Sequence, residues 1–418
     1  MFDLDKWTEI WVTITHNKTR SLLTCFGVFW GILMLVILLG AGTGMKNGMY
    51  KQVNGFSTNS AFFFPDRTSK PYHGFNKDRN WYIRTRDEAA IRQQVKGYEA
   101  LSAMLMGGGG SKNVVYGQLA TDGRIKGVEP DYFKIETENV YFGRLLNQID
   151  MKDKRKVCLL GKKLNDVLFR SGNSCGKYVR VNGIYYQVVG VVKQRASSVN
   201  INGRAEESVM IPLSTLQQTL NQGDTIHALA VSAAEGHKID PIIESIKHVL
   251  KTQNEIAPDD AQAVATLNIS EMFETFTKLF TGIDILIWLV GLGTLLAGII
   301  GVSNIMMVTV RERTKEIGVR RALGAKPKDI ISQIMTESLT LTALAGLLGL
   351  SCGVYLLDLV NKILSANPSD DTMIVDPSVN IQTALAATVI LLVSGLLAGL
   401  IPAWRAMQIK AIDAIREE

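Results

Sequence analysis

The stretch that decides the fold is residues 304–329, NIMMVTVRERTKEIGVRRALGAKPKD. It begins inside an uncharged run, residues 285–310, and becomes highly charged at Arg311. Seven Lys or Arg residues lie between Arg311 and Lys328. Such an excess in a short loop marks the cytoplasmic side of a membrane. The stretch therefore predicts a membrane helix that emerges into a charged, partly helical cytoplasmic segment.

Apolar segments elsewhere in the chain indicate a multi-pass membrane protein. Of the 418 residues, 47% are hydrophobic, which is high for a soluble protein. A helix rising about 1.5 Å per residue needs roughly 20 apolar residues to cross about 30 Å of hydrocarbon. Four spans satisfy this requirement, at 21–45, 281–310, 331–358 and 381–404. The long region between the first and second spans contains no such segment.

The charges that flank these spans predict their orientation. The net charge is +6, but the basic residues cluster beside the spans and no motif for reading nucleic acid is present, so a nucleic-acid partner is excluded. Acidic residues dominate the connection between the last two spans. The sequence predicts cytoplasmic segments at 1–20 (an interfacial helix), 311–330 and 405–418, and an external loop at 359–380. A cleaved signal peptide is the competing interpretation of the N-terminus.

The region 46–280 has the pattern of a soluble α+β domain. Strand and helix candidates in 46–110 are echoed in 227–270, which suggests one split unit. The intervening residues 111–226 are rich in strand candidates, including a hairpin marked by Asn182-Gly183. Four consecutive glycines, Gly107–Gly110, predict a break in regular structure that would be a hinge or a subdomain junction. The predicted fold is thus an α-helical membrane domain of four transmembrane helices plus an α+β extracytoplasmic domain with a β-rich inserted subdomain.

Small residues recur four positions apart within the predicted spans. Such spacing allows the backbones of membrane helices to approach closely, although glycine is common in these helices in any case. The predicted helix-packing residues are Gly27, Gly31, Gly293, Ala297, Gly301, Gly349, Gly353, Gly395 and Gly399.

No pattern of catalytic or metal-binding residues is present. The five histidines lack metal-ligand spacing, and there is no Gly-x-Ser-x-Gly motif, so the chain is not expected to be an enzyme by itself or to bind a metal. Cys158 and Cys175 both fall in the outer region, and their pairing is left open. Glu337 lies near the cytoplasmic end of the third span, where a functional acid is one interpretation and a structural pairing with Arg or Lys of the neighbouring loop is the favoured one.

The segment RERTKEIGVRRALGAKPKDI (311–330) resembles the cytoplasmic coupling segment of the FtsX-like and MacB-like ABC transporter permeases. The resemblance continues through NKTRSLLTCFGVFWGI (17–32), VCLLGKKLNDVLF (157–169), GKYVRVNGIYYQVVGVV (176–192) and IPAWRAMQIKAIDAIRE (401–417). Ala411 departs from the family pattern, which usually has proline there. No nucleotide-binding domain is recognisable in the sequence, so a stand-alone permease is expected.

The resemblance implies that the coupling segment docks into a groove on an ABC ATPase supplied by another subunit. That partner would bind ATP and Mg²⁺, and this chain would need no cofactor. Interleaved charges would form ion pairs, the aliphatic residues would supply an apolar contact, and the glycines would permit close approach and end the helix. The predicted coupling residues are Arg311, Glu312, Arg313, Lys315, Glu316, Ile317, Gly318, Arg320, Arg321, Leu323 and Gly324. A loop resting on anionic lipid is the simpler alternative.

The expected function is that of a permease subunit of an ABC-type exporter in the bacterial inner membrane. It would transmit ATP-driven motion to the outer domain, and the substrate would be expelled or released on the outer side. The family implies a second permease copy or a paralogue as partner, and a periplasmic adaptor with an outer-membrane channel in the export systems. The alternatives are an ABC-linked regulator of an envelope enzyme or sensor, a lipoprotein-releasing permease, and a membrane-anchored binding protein without an ATPase.

Overall fold

The computed structural model describes residues 18–53, 57–194, 201–366 and 374–408. The chain divides into two compact units. Unit 1 is Met1–Met49 with Lys278–Glu418, and unit 2 is Tyr50–Thr277. Most of the predicted interfacial helix and of the C-terminal tail therefore lies outside the described residues.

The helices of the described residues are of two kinds, four long apolar helices and seven shorter ones. The long elements belong mainly to unit 1 and the short ones mainly to unit 2. They are α1 (Lys18–Val53), α2 (Thr85–Gln94), α3 (Tyr132–Ile135), α4 (Gln148–Lys152), α5 (Lys162–Phe169), α6 (Leu213–Thr219), α7 (Ile239–Gln253), α8 (Ile269–Glu312), α9 (Thr314–Ala322), α10 (Pro327–Ala366) and α11 (Ile381–Gln408).

The strands found in the described part of the chain all lie in unit 2. They are β1 (Ser60–Pro65), β2 (Ile83–Arg84), β3 (Tyr98–Tyr116), β4 (Leu119–Val128), β5 (Glu138–Gly143), β6 (Val157–Gly161), β7 (Tyr178–Val181), β8 (Ile184–Gln194), β9 (Ser208–Pro212), β10 (Thr225–Ile226), β11 (Ala228–Ala233) and β12 (Val264–Asn268). Ten of them form one sheet, while β2 and β10 pair separately.

The four predicted spans are confirmed as long apolar helices, α1, α8, α10 and α11. Each extends beyond the predicted span. The longest, α8, has 44 residues and contains residues of both units. At about 1.5 Å per residue it is roughly 66 Å long, about twice the thickness of the hydrocarbon layer. An apolar run alone does not reveal such extensions, because a helix can continue past its apolar part.

The large sheet of unit 2 contains a closed ring of strands. β3 pairs with β4, β4 with β9, β9 with β6, β6 with β8, β8 with β7, and β7 again with β3. The tenth strand, β5, pairs with β8, and three further strands continue from the first part of β3 in the order β11, β1, β12. This extension joins strands from both ends of unit 2. A ring of strands removes exposed sheet edges, which stabilises a small β-rich region against unwanted strand pairing.

Both faces of the extension are covered by apolar side chains. Along β11, Leu229 and Val231 belong to the core formed with α2 and α7, whereas Ala228 and Ala230 belong to a second core with α3. All six residues of β11 are buried. A strand covered on both sides is apolar along almost its whole length rather than alternating, and in the sequence ALAVSA only Ser232 is polar.

The prediction that Gly107–Gly110 breaks regular structure is wrong, because β3 continues through all four glycines. The register with β4 shifts on both sides, between Met106 and Gly109 and between Gly110 and Val114. A Cβ at Gly107 would lie 2.7 Å from Ile125 Cγ2, and Gly108 has a φ of +76°. Glycine is therefore used to bend and bulge the strand between the part that pairs with β11 and the part that pairs with β7.

The hairpin predicted at Asn182-Gly183 is confirmed. These two residues connect β7 to β8, and Val181 pairs with Ile184. Their φ angles are +46° and +87°, as a two-residue hairpin of type I′ requires. This turn fixes the register of the two strands that close the ring.

Candidate partner-docking site

The charged stretch after α8 folds into α9, a short helix separated from α8 by Arg313 alone. It ends at a left-handed glycine, Gly324, with φ +96°. The amide of Gly324 donates to Arg321 O at 3.1 Å, and the amide of Ala325 donates to Arg320 O at 3.0 Å. This pair of hydrogen bonds is the Schellman motif, which closes the last turn of a helix. Pro327 is the first residue of α10. Proline is tolerated there because an amide at the first position of a helix has no hydrogen-bond partner within the helix.

Two polar contacts tie α9 and its first flanking residue to the beginning of α10. Arg313 Nη1 lies 3.5 Å from Glu337 Oε2, and the Glu337 side chain is only 6% exposed. One turn closer to the start of α10, Gln333 Oε1 accepts a hydrogen bond of 2.9 Å from Arg320 Nη1. Because Gln333 and Glu337 are four residues apart, they lie on one face of α10. The expected pairing of Glu337 with a basic residue of the loop is confirmed.

A further contact ties α9 to the last helix. Arg321 Nη1 donates to the backbone carbonyl of Met407 at 2.9 Å, near the end of α11. A cation that donates to the last carbonyls of a helix also interacts favourably with the negative end of its dipole. Thus α9 is held by polar contacts to both α10 and α11.

The space between these helices is a cleft of about 30 Å³. Its polar lining comes from Thr309, Arg313, Glu316, Arg320, Gln333 and Glu337. The second nitrogen of Arg320 lies 2.8 Å from Glu316 Oε1, one turn back along α9. The cleft is therefore a small polar contact region between α9 and the beginning of α10.

The predicted coupling residues divide between a buried and an exposed side of α9. Ile317 and Gly318 are buried, and Ile317 belongs to the core of unit 1. Val319 is 47% exposed and Leu323 is 84% exposed. These two residues are four positions apart and lie on one face. We call them the exposed apolar face of α9.

Exposed charges surround this face. Arg311, Glu312, Lys315 and Glu316 are all exposed. An apolar centre with a charged rim is the usual anatomy of a protein-binding surface. Patterning did not separate Ile317 from Val319 and Leu323, because the direction of a short helix depends on the helices against which it packs.

Most of the predicted helix-packing glycines lie at close contacts between helices. A Cβ at Gly349 would lie 2.7 Å from Phe29 O, and one at Gly353 would lie 2.7 Å from Val36 Cγ1. Similar contacts are made by Gly27, Gly31, Gly395 and Gly399, where a Cβ would lie 3.0–3.5 Å from its nearest neighbour.

The structure does not show the predicted packing for the set on α8. No heavy atom of the described residues lies within 4 Å of a Cβ placed at Gly293 or Gly301, and Ala297 is exposed. The contact is made instead by Gly298, whose added Cβ would lie 3.2 Å from the Gly27 backbone. Gly291 and Gly298, seven positions apart, share the inward face. The predicted residues therefore lie on the outward face of α8. Residue spacing shows which small residues share a face, but not which face packs against the other helices.

Unit 2 carries a network of charges that runs from buried Glu88 through partly buried Glu129 to exposed Arg92. Arg92 contacts both Glu88, at 2.7 Å, and Glu129, at 3.2 Å. Glu129 also accepts a 3.0 Å hydrogen bond from the amide of Ala103. Burial, together with the charge of Glu88, raises the pKa of Glu129 to about 7. This network connects α2 to β3 and to the end of β4.

The described residues offer neither a metal site nor a disulfide as a second candidate functional site. Among the residues that the structure describes, no three His, Cys, Asp or Glu side chains are grouped so that they could hold a metal ion. Cys158 and Cys175 are both free thiols. The candidate site is therefore the surface around α9.

Comparison with known proteins agrees with both units. Residues 21–249 match the family model of the MacB-like periplasmic core domain. Residues 288–411 match that of the FtsX-like permease C-terminal domain. The chain belongs to the MacB-like, FtsX-like family of ABC permeases. It is accordingly a multi-pass membrane protein with a MacB-like periplasmic core domain, most of which is unit 2.

Two curated relatives illustrate the family. The macrolide export ATP-binding/permease protein MacB of Bdellovibrio bacteriovorus is 24% identical over 97% of this chain. The pyoverdine export ATP-binding/permease protein PvdT of Pseudomonas aeruginosa is 26% identical over 99% of it. The alignments cover 60% and 58% of those proteins. The chain therefore spans about three fifths of the length of the curated relatives that it matches.

Two of the solved structures that match part of the chain are a periplasmic region and an extracellular domain. The periplasmic region of MacB from Actinobacillus actinomycetemcomitans is 19% identical, with a TM-score of 0.42, and covers 54% of this chain and 95% of that region. The extracellular domain of YknZ from Gram-positive bacteria is 17% identical, with a TM-score of 0.41, over 50% of this chain and all of that domain.

Proposed function

We propose that this permease couples an ABC ATPase, supplied by a separate subunit, to its own periplasmic core domain. The observation that carries the proposal is the exposed apolar face of α9. Leu323 is a large apolar side chain left almost fully in water on a helix that is otherwise tied down by ion pairs and hydrogen bonds. Such a residue at the centre of a charged rim is suited to insert into a pocket on a partner. Polar contacts to α10 and α11 would then carry the displacement of α9 into the membrane helices.

We propose that α8 transmits the motion of α9 toward the periplasmic core domain. This helix continues for 44 residues and only one residue, Arg313, separates it from α9. A helix of this length behaves as a stiff element, and we propose that it moves largely as a rigid body when the ATPase moves α9. On this proposal both chain termini and α9 are cytoplasmic, ATP and Mg²⁺ are bound by the ATPase alone, and the substrate is expelled or released on the periplasmic side. The export activities of MacB and PvdT support efflux as the purpose.

The proposal is tested by placing a charge in the exposed apolar face of α9. Full burial of a leucine side chain on docking is worth about 1.5–3 kcal/mol. Its loss should weaken binding by roughly 10- to 150-fold at 1.4 kcal/mol per factor of ten, and a buried carboxylate should weaken it further. We therefore expect Leu323→Asp to lose co-purification with the ABC ATPase co-expressed with it, and to lose stimulation of that ATPase.

The matched control is Ile363→Asp. Ile363 is 58% exposed and lies near the other end of α10, away from α9 in sequence. This control should insert into the membrane and bind the ATPase like the parent protein. Equal binding by Leu323→Asp and the parent would contradict the docking role of α9. Labelling of a cysteine at Lys315 from the periplasmic side alone would contradict the proposed orientation.

A further inference from the structure

The surface of unit 2 contains a polar groove beside the glycine-rich part of β3. Its volume is about 440 Å³. Its lining comes from β3, from β4 and from the residue that precedes β9, and consists of Gly109, Gly110, Asp122, Gly123, Arg124 and Glu207. We call it the polar groove of unit 2. A cavity of this volume is in the range of sites that bind small molecules.

The conformation of β3 does not require glycine at Gly109 or Gly110. Neither residue has a positive φ, unlike Gly108. A Cβ at Gly110 would lie 3.6 Å from Asn113 Cβ, which is an ordinary contact. A Cβ at Gly109 would lie 3.3 Å from Arg124 Cδ, which belongs to a flexible side chain. Since both glycines line the groove, what their missing side chains provide is open space.

The side chain of Arg124 lies in this groove without a partner for its charge. Its stem passes Gly203, where a Cβ would lie 2.8 Å from Arg124 Cγ, and it passes Gly109 on the other side. Its guanidinium makes no hydrogen bond or ion pair with any residue that the structure describes. A guanidinium is a planar fork of donors that matches a carboxylate. The two glycines therefore make room for a cation whose donors are available to a ligand.

Two carboxylates line the same groove. The amide of Lys112 donates to Asp122 Oδ1, and Asp122 Oδ2 has no partner among the described residues. Glu207 Oε1 lies 3.0 Å from Lys163 Nζ, but both side chains are nearly half exposed, and an exposed ion pair contributes little. Both carboxylates can thus accept hydrogen bonds from an ammonium group. They would repel an anion of higher charge, such as phosphate.

We propose that the polar groove of unit 2 binds a small zwitterion, with the ligand carboxylate on Arg124 and its ammonium group near Asp122 and Glu207. A short peptide with free ends carries both groups. The glycine backbone on one side of the groove leaves room for the main chain of such a peptide. The groove lies wholly in unit 2, and binding there requires no ATPase, so this proposal and the proposed coupling function can fail separately.

The test is ligand-observed saturation-transfer NMR with triglycine and the full chain in lipid nanodiscs. A ligand of this size should bind with a Kd on the order of 1 mM. Acetylating its N-terminus or amidating its C-terminus removes one charged group, and each change should weaken binding by about 10- to 100-fold. Inorganic phosphate should not compete with triglycine. Equal binding of the three peptides, displacement of triglycine by phosphate, or no saturation transfer at about ten times the expected Kd would overturn the proposal.

Variants of the full chain locate the binding. Arg124→Gln should weaken triglycine binding by about 10- to 100-fold and should remove the preference for triglycine over its C-terminal amide. Arg180→Gln is the matched control, because Arg180 is exposed on β7 in the same ring of strands but does not line the groove. It should bind triglycine like the parent protein. Equal affinities of Arg124→Gln and Arg180→Gln would overturn the proposal.

A second variant blocks the groove without removing a charge. Gly109 pairs with Arg124 across the two strands, so a side chain at Gly109 would lie on the same face as Arg124. Gly109→Leu should therefore abolish triglycine binding. Hydrogen exchange of β3 and β4 equal to that of the parent shows that the ring is intact. Parent-like binding by a folded Gly109→Leu would show that triglycine binds elsewhere.

Discussion

The raised pKa of Glu129 makes a quantitative prediction about unit 2. The folded-state pKa is about 7, compared with an ordinary value of 4.5, because burial and the neighbouring Glu88 disfavour the charged form more than Arg92 and the Ala103 amide favour it. The folded state therefore holds its proton more tightly than the unfolded state. By linkage, the contribution of Glu129 to stability is greatest below pH 4.5, decreases as the pH rises from 4.5 to 7, and is constant above that.

The size of the effect follows from the difference between the two pKa values. Each unit corresponds to about 1.36 kcal/mol, so the full difference is about 3 kcal/mol, most of which falls between pH 5 and 8. The Glu129 side chain is 17% exposed, so solvent screens part of this energy, and we expect about 1–3 kcal/mol. Glu129→Gln keeps the acceptor for the Ala103 amide but cannot ionise. The difference in unfolding free energy between Glu129→Gln and the parent should therefore shift in favour of the variant by that amount when the pH is raised from 5 to 8.

The assay is hydrogen exchange of α2 and β3 in the full chain held in lipid nanodiscs. Parent and variant are compared at the same pH, so the intrinsic pH dependence of exchange cancels. The titration of Glu138, whose pKa burial and Glu136 raise to about 9, is common to both proteins and also cancels. A difference between parent and variant that is the same at pH 5 and pH 8 would refute the reasoning.

Two further predictions concern unit 1. Gly349→Ala should destabilise unit 1 by about 1–3 kcal/mol despite the gain in helix propensity, since the new Cβ would lie 2.7 Å from Phe29 O. The control is Gly301→Ala, whose new Cβ would meet no atom of another helix within 4 Å among the described residues. It should leave the stability of unit 1 unchanged or increase it. Thermal unfolding in detergent compares the two, and equal midpoints would contradict the packing. Glu337→Gln should weaken the tie to Arg313 by about 1–3 kcal/mol and reduce stimulation of the ATPase without changing membrane insertion. Stimulation equal to that of the parent would show that this contact does not transmit motion.

Several features of the protein follow from local sequence. The four spans were predictable because about 20 consecutive apolar residues have few stable locations other than a membrane or a large core. The Asn182-Gly183 turn and the end of α9 at Gly324 were predictable because each needs a positive φ that glycine, and to a lesser extent asparagine, adopts at low cost. The pairing partner of Glu337 was predictable because a buried acid near a basic loop requires a cation.

The tertiary structure decided the features that depend on distant parts of the chain. Gly107–Gly110 forms a bent strand rather than a break, because β4 on one side provides hydrogen bonds that outweigh the flexibility of glycine. The inward face of α8 carries Gly298 and not Gly293, because α1 packs against that side. Likewise, Ile317 is buried and Leu323 is exposed, because α10 and α11 fix the direction of α9. Sequence periodicity specifies which residues share a face, but only packing against neighbouring elements determines what that face meets.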